Sequence, residues 1–227
     1  MLYHSYELQR SLLAGASAAA SIGASFLSNP FNPASYTQAG SLAGSALDVF
    51  AHASAPRGKP AFGIDEVVVD GDIVPVSEEV ALRLPFGRLK RFVKHGVPQG
   101  PRVLIVAPMS GHFATLLRGT VARLLPHHEI FITDWADAKL VPLLFGRFDL
   151  DDYIDYLVEF LEAVGTGAHM LAVCQPSVPC YAAVALMSAD KHPATPRTLT
   201  MMGGPIDTRE APTAVNTLAT QRPHAWF

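Results

Sequence analysis

Cys174 has the most informative setting of any reactive side chain in this sequence. It lies in the segment Leu171–Pro179, between a short apolar run and an Ala-rich stretch that continues as a helix. At a junction of strand, sharp turn and helix, a side chain is raised to the top of the sheet, and the helix start supplies free N–H groups and a positive dipole end. Because these groups favour negative charge, we expect Cys174 to attack an ester carbonyl as a thiolate and to form a thioester acyl-enzyme.

The tetrahedral intermediate of that reaction requires two N–H donors for its oxyanion. One is expected to be the backbone N–H of Gln175, the residue that follows the nucleophile. The other is expected from the loop that follows the first parallel strand, residues 108–112. By position in this loop we predict the N–H of Met109 as the donor, with Ser110 as the next choice.

Other interpretations of this segment stay open at the level of sequence. A free cysteine is often only a small buried hydrophobic residue, which is one reading of Cys174 and the simplest reading of Cys180. Ser177 is a competing nucleophile, although it would lie one turn into the helix. A nucleophile at such a turn usually has small residues two positions before and after it; Ala172 satisfies the first condition, whereas Pro176 stands where glycine is usual.

Partners for the nucleophile are harder to identify. Asp134 and Asp207 follow predicted strands, at the end of the sheet where sites gather in open α/β folds. His112 is the last residue of the predicted oxyanion loop and either lines the site or is solvated. His224 is the only late histidine, and no predicted strand precedes it. The histidines and carboxylates show no metal-ligand spacing, and no glycine-rich phosphate loop is present, so we predict neither a metal nor an organic cofactor.

The surrounding elements predict how Cys174 is positioned. An antiparallel opening is expected from a hairpin over 66–76 with Asp70-Gly71 at its turn, followed by strands over 80–84 and 89–93. The pattern then alternates between strands and helices. We predict strands over 102–107, 129–133, 168–173 and 198–202, and helices over 113–125, 150–164 (with Asp149 as N-cap) and from 176 onward. This order predicts an α/β fold of the α/β-hydrolase type, incomplete at its C-terminus.

The first sixty residues form a different region. Apolar residues and an Ala/Ser/Gly stretch predict two helices separated by 29–33, with a linker near 55–60. We therefore divide the chain into a helical arm over 1–60 and a partial hydrolase domain over 61–227. The arm is interpreted as a packing or oligomerisation element, or as an amphipathic element that contacts a hydrophobic surface. Residues 11–27 also resemble a signal peptide, but Glu7 and the interrupting Ser and Gly residues disfavour that reading.

Composition limits the classes of function. The chain has 227 residues and a formal net charge of −3, which offers no electrostatic reason to expect a nucleic-acid partner. Two cysteines are too few for a disulfide framework and fit a reducing, cytoplasmic setting. No apolar run has the length of a membrane span.

At these motifs the chain resembles the bacterial intracellular polyhydroxyalkanoate (polyhydroxybutyrate) depolymerases. The Cys-Gln-Pro string at the turn is fairly specific, because most hydrolases of this fold carry a serine between glycines there. The matching segments are spread over essentially the whole chain: Met1–Arg10, Val106–Arg118, Ile132–Ala136, Leu171–Pro179 and Met202–Arg209.

The resemblance implies an α/β-hydrolase that uses a Cys-Asp-His triad on stored polyester at the surface of cytoplasmic granules. Only Cys174 is carried over, because the Asp and His of the family lie later in a longer chain. We therefore expect an N-terminal fragment that shows little or no turnover by itself. Two alternatives remain: a non-catalytic granule-binding protein, and an acyltransferase similar to polyester synthases. A homo-oligomer is also left open.

Overall fold

The structure is a computed structural model that describes residues 2–55, 58–109, 113–223 and 226. It contains two compact units, one formed by Met1–Lys59 with Arg209–Phe227 and the other by Pro60–Thr208. The first unit contains α1 (Leu2–Leu27) and α2 (Gln38–Ser54), which are joined by a short 3₁₀ turn. The two helices pack through small residues: the position of a Cβ on Gly44 lies 3.2 Å from Leu27 Cβ, and Ser17 Oγ donates to the carbonyl of Ala51 at 2.9 Å.

The second unit is built on one seven-stranded sheet with the spatial order β1-β2-β3-β5-β4-β6-β7. The first three strands are antiparallel and β3 is antiparallel to β5, whereas β5, β4, β6 and β7 run parallel. The strands are β1 (Glu66–Val69), β2 (Asp72–Leu84), β3 (Gly87–Lys94), β4 (Arg102–Val106), β5 (Glu129–Trp135), β6 (His169–Val173) and β7 (Thr198–Met202).

The structure contains the predicted antiparallel hairpin, but one of the predicted strand boundaries is different. Asp70 and Gly71 both have positive φ, 52° and 96°, as a two-residue turn between right-twisted strands requires. The separate strand predicted over Val80–Leu84 is instead the end of β2. No glycine or proline interrupts the chain between Val76 and Val80, so pairing with β3 continues through a single irregularity before Leu82.

Helices cover both faces of the parallel part of the sheet. They are α3 (Arg118–Leu124), α4 (Leu150–Val164) and α5 (Ser177–Ala189); a further helix, α6 (Ala214–Gln221), lies in the other unit. One core packs α4 and α5 against the sheet, and a second core packs α3 against the opposite face. Asp149 caps α4 and forms a capping box with Asp152, which confirms the predicted N-cap.

The predicted α/β-hydrolase fold class is confirmed by this arrangement of sheet and helices. Because β4, β5, β6 and β7 are parallel, their carboxyl ends lie at one edge of the sheet, where binding sites form in open α/β folds. Within the described ranges, no helix has the length and apolarity that crossing a bilayer requires.

Candidate active site

Cys174 occupies the turn between β6 and α5. Its φ is 67°, in the left-handed region that residues with a Cβ rarely adopt. Its N–H donates to the carbonyl of Met202 at 2.8 Å, and its own carbonyl accepts from the N–H of Ser177 at 3.1 Å. The backbone is therefore held on both sides of a strained residue, while the side chain is exposed. Strain at a solvent-facing cysteine points to a functional reason for the conformation.

The loop after β7 packs closely against the start of α5. A Cβ on Gly204 would lie 2.0 Å from Ser177 Oγ and 3.2 Å from the carbonyl oxygen of Cys174, so only glycine fits there. This contact holds the first turn of α5 against the loop. The side chain of Ser177 is completely buried in consequence, and its hydroxyl has no hydrogen-bond partner in the described part of the chain. In this conformation Ser177 is out of reach of a substrate.

The second cysteine is also removed from the site. Cys180 lies inside α5, is fully buried in the core beside α4, and is not disulfide-bonded. Burial raises the pKa of its thiol to about 12, because the core does not solvate a thiolate. Of the two thiols, Cys174 alone is both exposed and placed on the strand-to-helix turn.

The structure brings together two of the predicted oxyanion-hole residues. The backbone N–H of Met109 donates to Oε1 of Gln175 at 3.0 Å, so the loop after β4 lies directly against the turn at Cys174. The backbone N–H of Gln175 has no acceptor in the part of the chain that is described. Ser110, the other predicted donor, lies outside the described residues.

Two side chains at the end of β5 hold the loop that leads to Met109. Thr133 Oγ1 accepts from the N–H of Ala107 at 2.9 Å, and Trp135 Nε1 donates to the carbonyl of Ala107 at 2.9 Å. Thr133 and Trp135 are two residues apart on a strand and therefore point to the same side. Sequence reasoning missed this clamp. The available signal was a threonine and a tryptophan at alternate positions near the end of a buried strand.

The acid and base candidates have different environments. Asp134 has a fully buried side chain that accepts from Arg88 Nε at 3.2 Å and lies 3.6 Å from Lys90 Nζ, so it belongs to an ion-pair cluster between β5 and β3. Asp207 is exposed in the loop after β7. His112 and His224 lie outside the described residues. Among those that are described, no histidine or carboxylate is hydrogen-bonded to Cys174, and no group of three or more His, Cys, Asp or Glu could hold a metal ion.

Comparison with known proteins gives similarity only at the level of solved structures, since neither a protein-family model nor a curated protein matches the chain. One similar structure is DBJA (mutant dbja delta), at 17% sequence identity and a TM-score of 0.37. A second is naproxen esterase (carboxylesterase NP) from Bacillus subtilis, at 14% identity and a TM-score of 0.37. A third is brefeldin A esterase, a bacterial homologue of human hormone-sensitive lipase, at 13% identity and a TM-score of 0.41. The matches cover 61%, 56% and 84% of this chain and 40%, 42% and 47% of those proteins. The chain therefore spans less than half of the length of each of these three structures.

Proposed function

We propose that this chain is part of an enzyme that hydrolyses carboxylic esters and uses Cys174 as its nucleophile. The observation that carries the proposal is an exposed cysteine with φ of 67° on the turn between a parallel strand and a helix. Cys174 directly follows β6 at the carboxyl edge of the sheet, Gln175 is its neighbour in sequence, and the backbone N–H of Met109 donates to the side chain of Gln175. An activated nucleophile with amide donors for a developing oxyanion is the arrangement that acyl transfer needs.

The chemistry proceeds in two balanced half-reactions. In the first, Sγ of Cys174 forms a bond to the ester carbonyl carbon, and the π electron pair moves to the carbonyl oxygen, where the N–H groups of Gln175 and Met109 stabilise it. Collapse of this intermediate breaks the carbon–oxygen bond, and the leaving alkoxide takes a proton to become a hydroxyl. In the second, water attacks the thioester, releases the carboxylic acid and restores the thiol.

The proposed enzyme also uses a histidine and an aspartate, in the roles that a Cys-Asp-His triad requires. The histidine activates the thiol and protonates the leaving hydroxyl, and the aspartate orients the histidine. Neither role is assigned to a described residue. Gln175 and Met109 are proposed as the two oxyanion donors, with Ser110 as the alternative to Met109.

For the substrate we propose the intracellular storage polyester polyhydroxybutyrate, or a related polyhydroxyalkanoate, at the surface of cytoplasmic granules. Support comes from the sequence motifs around Cys174 and from the apolar surface of the N-terminal helix. Four exposed apolar side chains lie on one face of α1, because the distances between them in the sequence are combinations of three- and four-residue steps. They are Leu8, Leu12, Ile22 and Phe26, each more than half exposed. Such a face suits contact with a water-insoluble polymer.

The first half-reaction is the direct test, because it is visible without turnover. We expect intact-mass spectrometry to show that 4-nitrophenyl 3-hydroxybutyrate adds one hydroxybutyryl group to the chain. The adduct should be absent from Cys174→Ala and retained by the matched control Cys180→Ala. Equal acylation of Cys174→Ala and the unchanged chain would show that Cys174 is not the nucleophile.

Three assays on the same preparations distinguish the substrate classes. A depolymerase releases 3-hydroxybutyrate or its oligomers from native amorphous granules when the complete catalytic set is present. An acyltransferase instead consumes 3-hydroxybutyryl-CoA. A granule-binding protein without catalytic activity sediments with granules, binds them equally well as Cys174→Ala and is not acylated.

A further inference from the structure

We propose that the side chain of Gln175 is an internal occupant of the oxyanion site, which must swing away from Met109 before an ester is activated. The inference rests on the proposed function, because an oxyanion site has meaning only for acyl transfer. It assigns to the Gln175 carboxamide a role that is separate from the donor role of the Gln175 backbone N–H.

The geometry places an acceptor where the oxyanion is expected. Oε1 of Gln175 lies 3.0 Å from the backbone nitrogen of Met109, within the range over which an oxyanion-hole donor acts. An oxyanion bound between the N–H groups of residues 175 and 109 would need the same N–H of Met109. The carboxamide oxygen and the substrate oxygen therefore compete for one donor.

In the part of this site that the structure describes, the side chain of Gln175 is the group that can move to resolve that competition. The loop before Met109 is held at Ala107 by Thr133 and Trp135, on both its N–H and its carbonyl. The turn backbone is held by the hydrogen bond from Cys174 to the carbonyl of Met202. Gln175 itself is exposed, so its side chain has solvent into which it can rotate.

The exchange has a consequence for catalysis. The carbonyl oxygen of a bound ester is a weaker hydrogen-bond acceptor than the amide oxygen of Gln175, so it gains nothing by displacing it. An oxyanion forms a charge-assisted hydrogen bond that is roughly twice as strong. The Gln175 carboxamide therefore keeps the N–H of Met109 from the neutral ester and gives it up to the oxyanion as negative charge develops. Because the hydrogen bond between Gln175 and Met109 must break first, it also slows acylation.

The experiment compares three variants of the full chain. Gln175→Met keeps the length of the side chain and removes its strong acceptor, whereas Gln175→Glu supplies a stronger, anionic acceptor. Gln9→Met, an exposed position in α1, is the matched control. Selective ¹⁵N-methionine labelling reports on the Met109 amide, whose resonance is assigned by its loss in Met109→Leu.

In Gln175→Met we expect the Met109 resonance to move upfield and its hydrogen exchange to accelerate. The acylation rate of Cys174 by 4-nitrophenyl 3-hydroxybutyrate should rise roughly two- to tenfold, which corresponds to the loss of one ordinary hydrogen bond. Gln175→Glu should be acylated more slowly than the unchanged chain and should recover relative to it as the pH falls through about 4.3, the ordinary pKa at which a glutamate is half protonated. The control should change neither readout.

The outcomes separate the two proposals. An unmoved Met109 resonance in Gln175→Met, or acylation that is unchanged or slower, overturns the occupant role even when Cys174 is acylated normally. Slower acylation would instead mean that Gln175 positions the loop. Absence of acylation in every variant overturns the proposed function, and the occupant role with it.

Discussion

The two cysteines offer a test of the site in which one thiol is the control for the other. Iodoacetamide reacts with the thiolate form only. The structure leaves Cys174 exposed on the turn and buries Cys180 completely in the core. Burial raises the pKa of Cys180 from 9.0 to about 12, so at pH 8 only ~10⁻⁴ of this thiol is ionised in the folded protein. That fraction is roughly a thousandfold below the fraction for an unperturbed thiol, before the cost of opening the core is added. We expect a single alkylation, at Cys174.

The assay must locate the modification within one peptide. No lysine or arginine lies between Arg147 and Lys191, so trypsin leaves both cysteines in the peptide 148–191, and fragment ions are needed to assign the label. Native Cys174→Ser should take up no label until denaturant is added, whereas native Cys180→Ala should react at the rate of the unchanged chain. Comparable labelling of both thiols in the native chain, or faster labelling of Cys180, would refute the burial argument and the assignment of Cys174 as the accessible thiol.

Three further predictions follow from the same contacts. Because the pKa of Cys180 is raised from 9.0 in the unfolded chain to about 12 in the folded one, its contribution to stability is complete below pH 9, and the free energy of unfolding should fall by about 4 kcal/mol as the pH rises to 12. Urea unfolding at stepped pH should show a steeper decline for the unchanged chain than for Cys180→Ala. Gly204→Ala should lower the thermal unfolding midpoint, because the added Cβ overlaps the side chain of Ser177, and the double variant with Ser177→Gly should recover most of the loss. A single variant Gly204→Ala as stable as the unchanged chain would contradict the close contact between Gly204 and Ser177. Thr133→Val leaves the N–H of Ala107 without an acceptor, so it should lower the free energy of unfolding by about 1–3 kcal/mol and slow the acylation of Cys174. Thr133→Ser keeps the hydroxyl and should retain the stability and the acylation rate; equal behaviour of the two variants would show that the hydrogen bond from Ala107 to Thr133 does not hold the loop.

Much of the fold was predictable because its signals are local. Alternation at 66–76, the continuous apolar runs of the parallel strands and the helical stripe of α4 each report the burial of one element. The misplaced boundary at Val80 shows the limit of such signals. A strand that continues through a bulge carries no turn residue to mark it, and only its pairing with β3 shows that β2 is one element.

By itself, the sequence determined that a cysteine stands between a strand and a helix, because the apolar run before Cys174 and the prolines after it are local features. Only the tertiary structure decided what surrounds that cysteine. The contact from Met109 to Gln175 joins residues 66 positions apart, and the hydrogen bonds that hold Ala107 span 26 and 28 positions. The φ of 67° at Cys174 likewise depends on its bond to Met202 and on the close approach of Gly204 to Ser177. These contacts arise where parallel strands end at the same edge of the sheet, and their register is a property of the assembled sheet that local patterns do not encode.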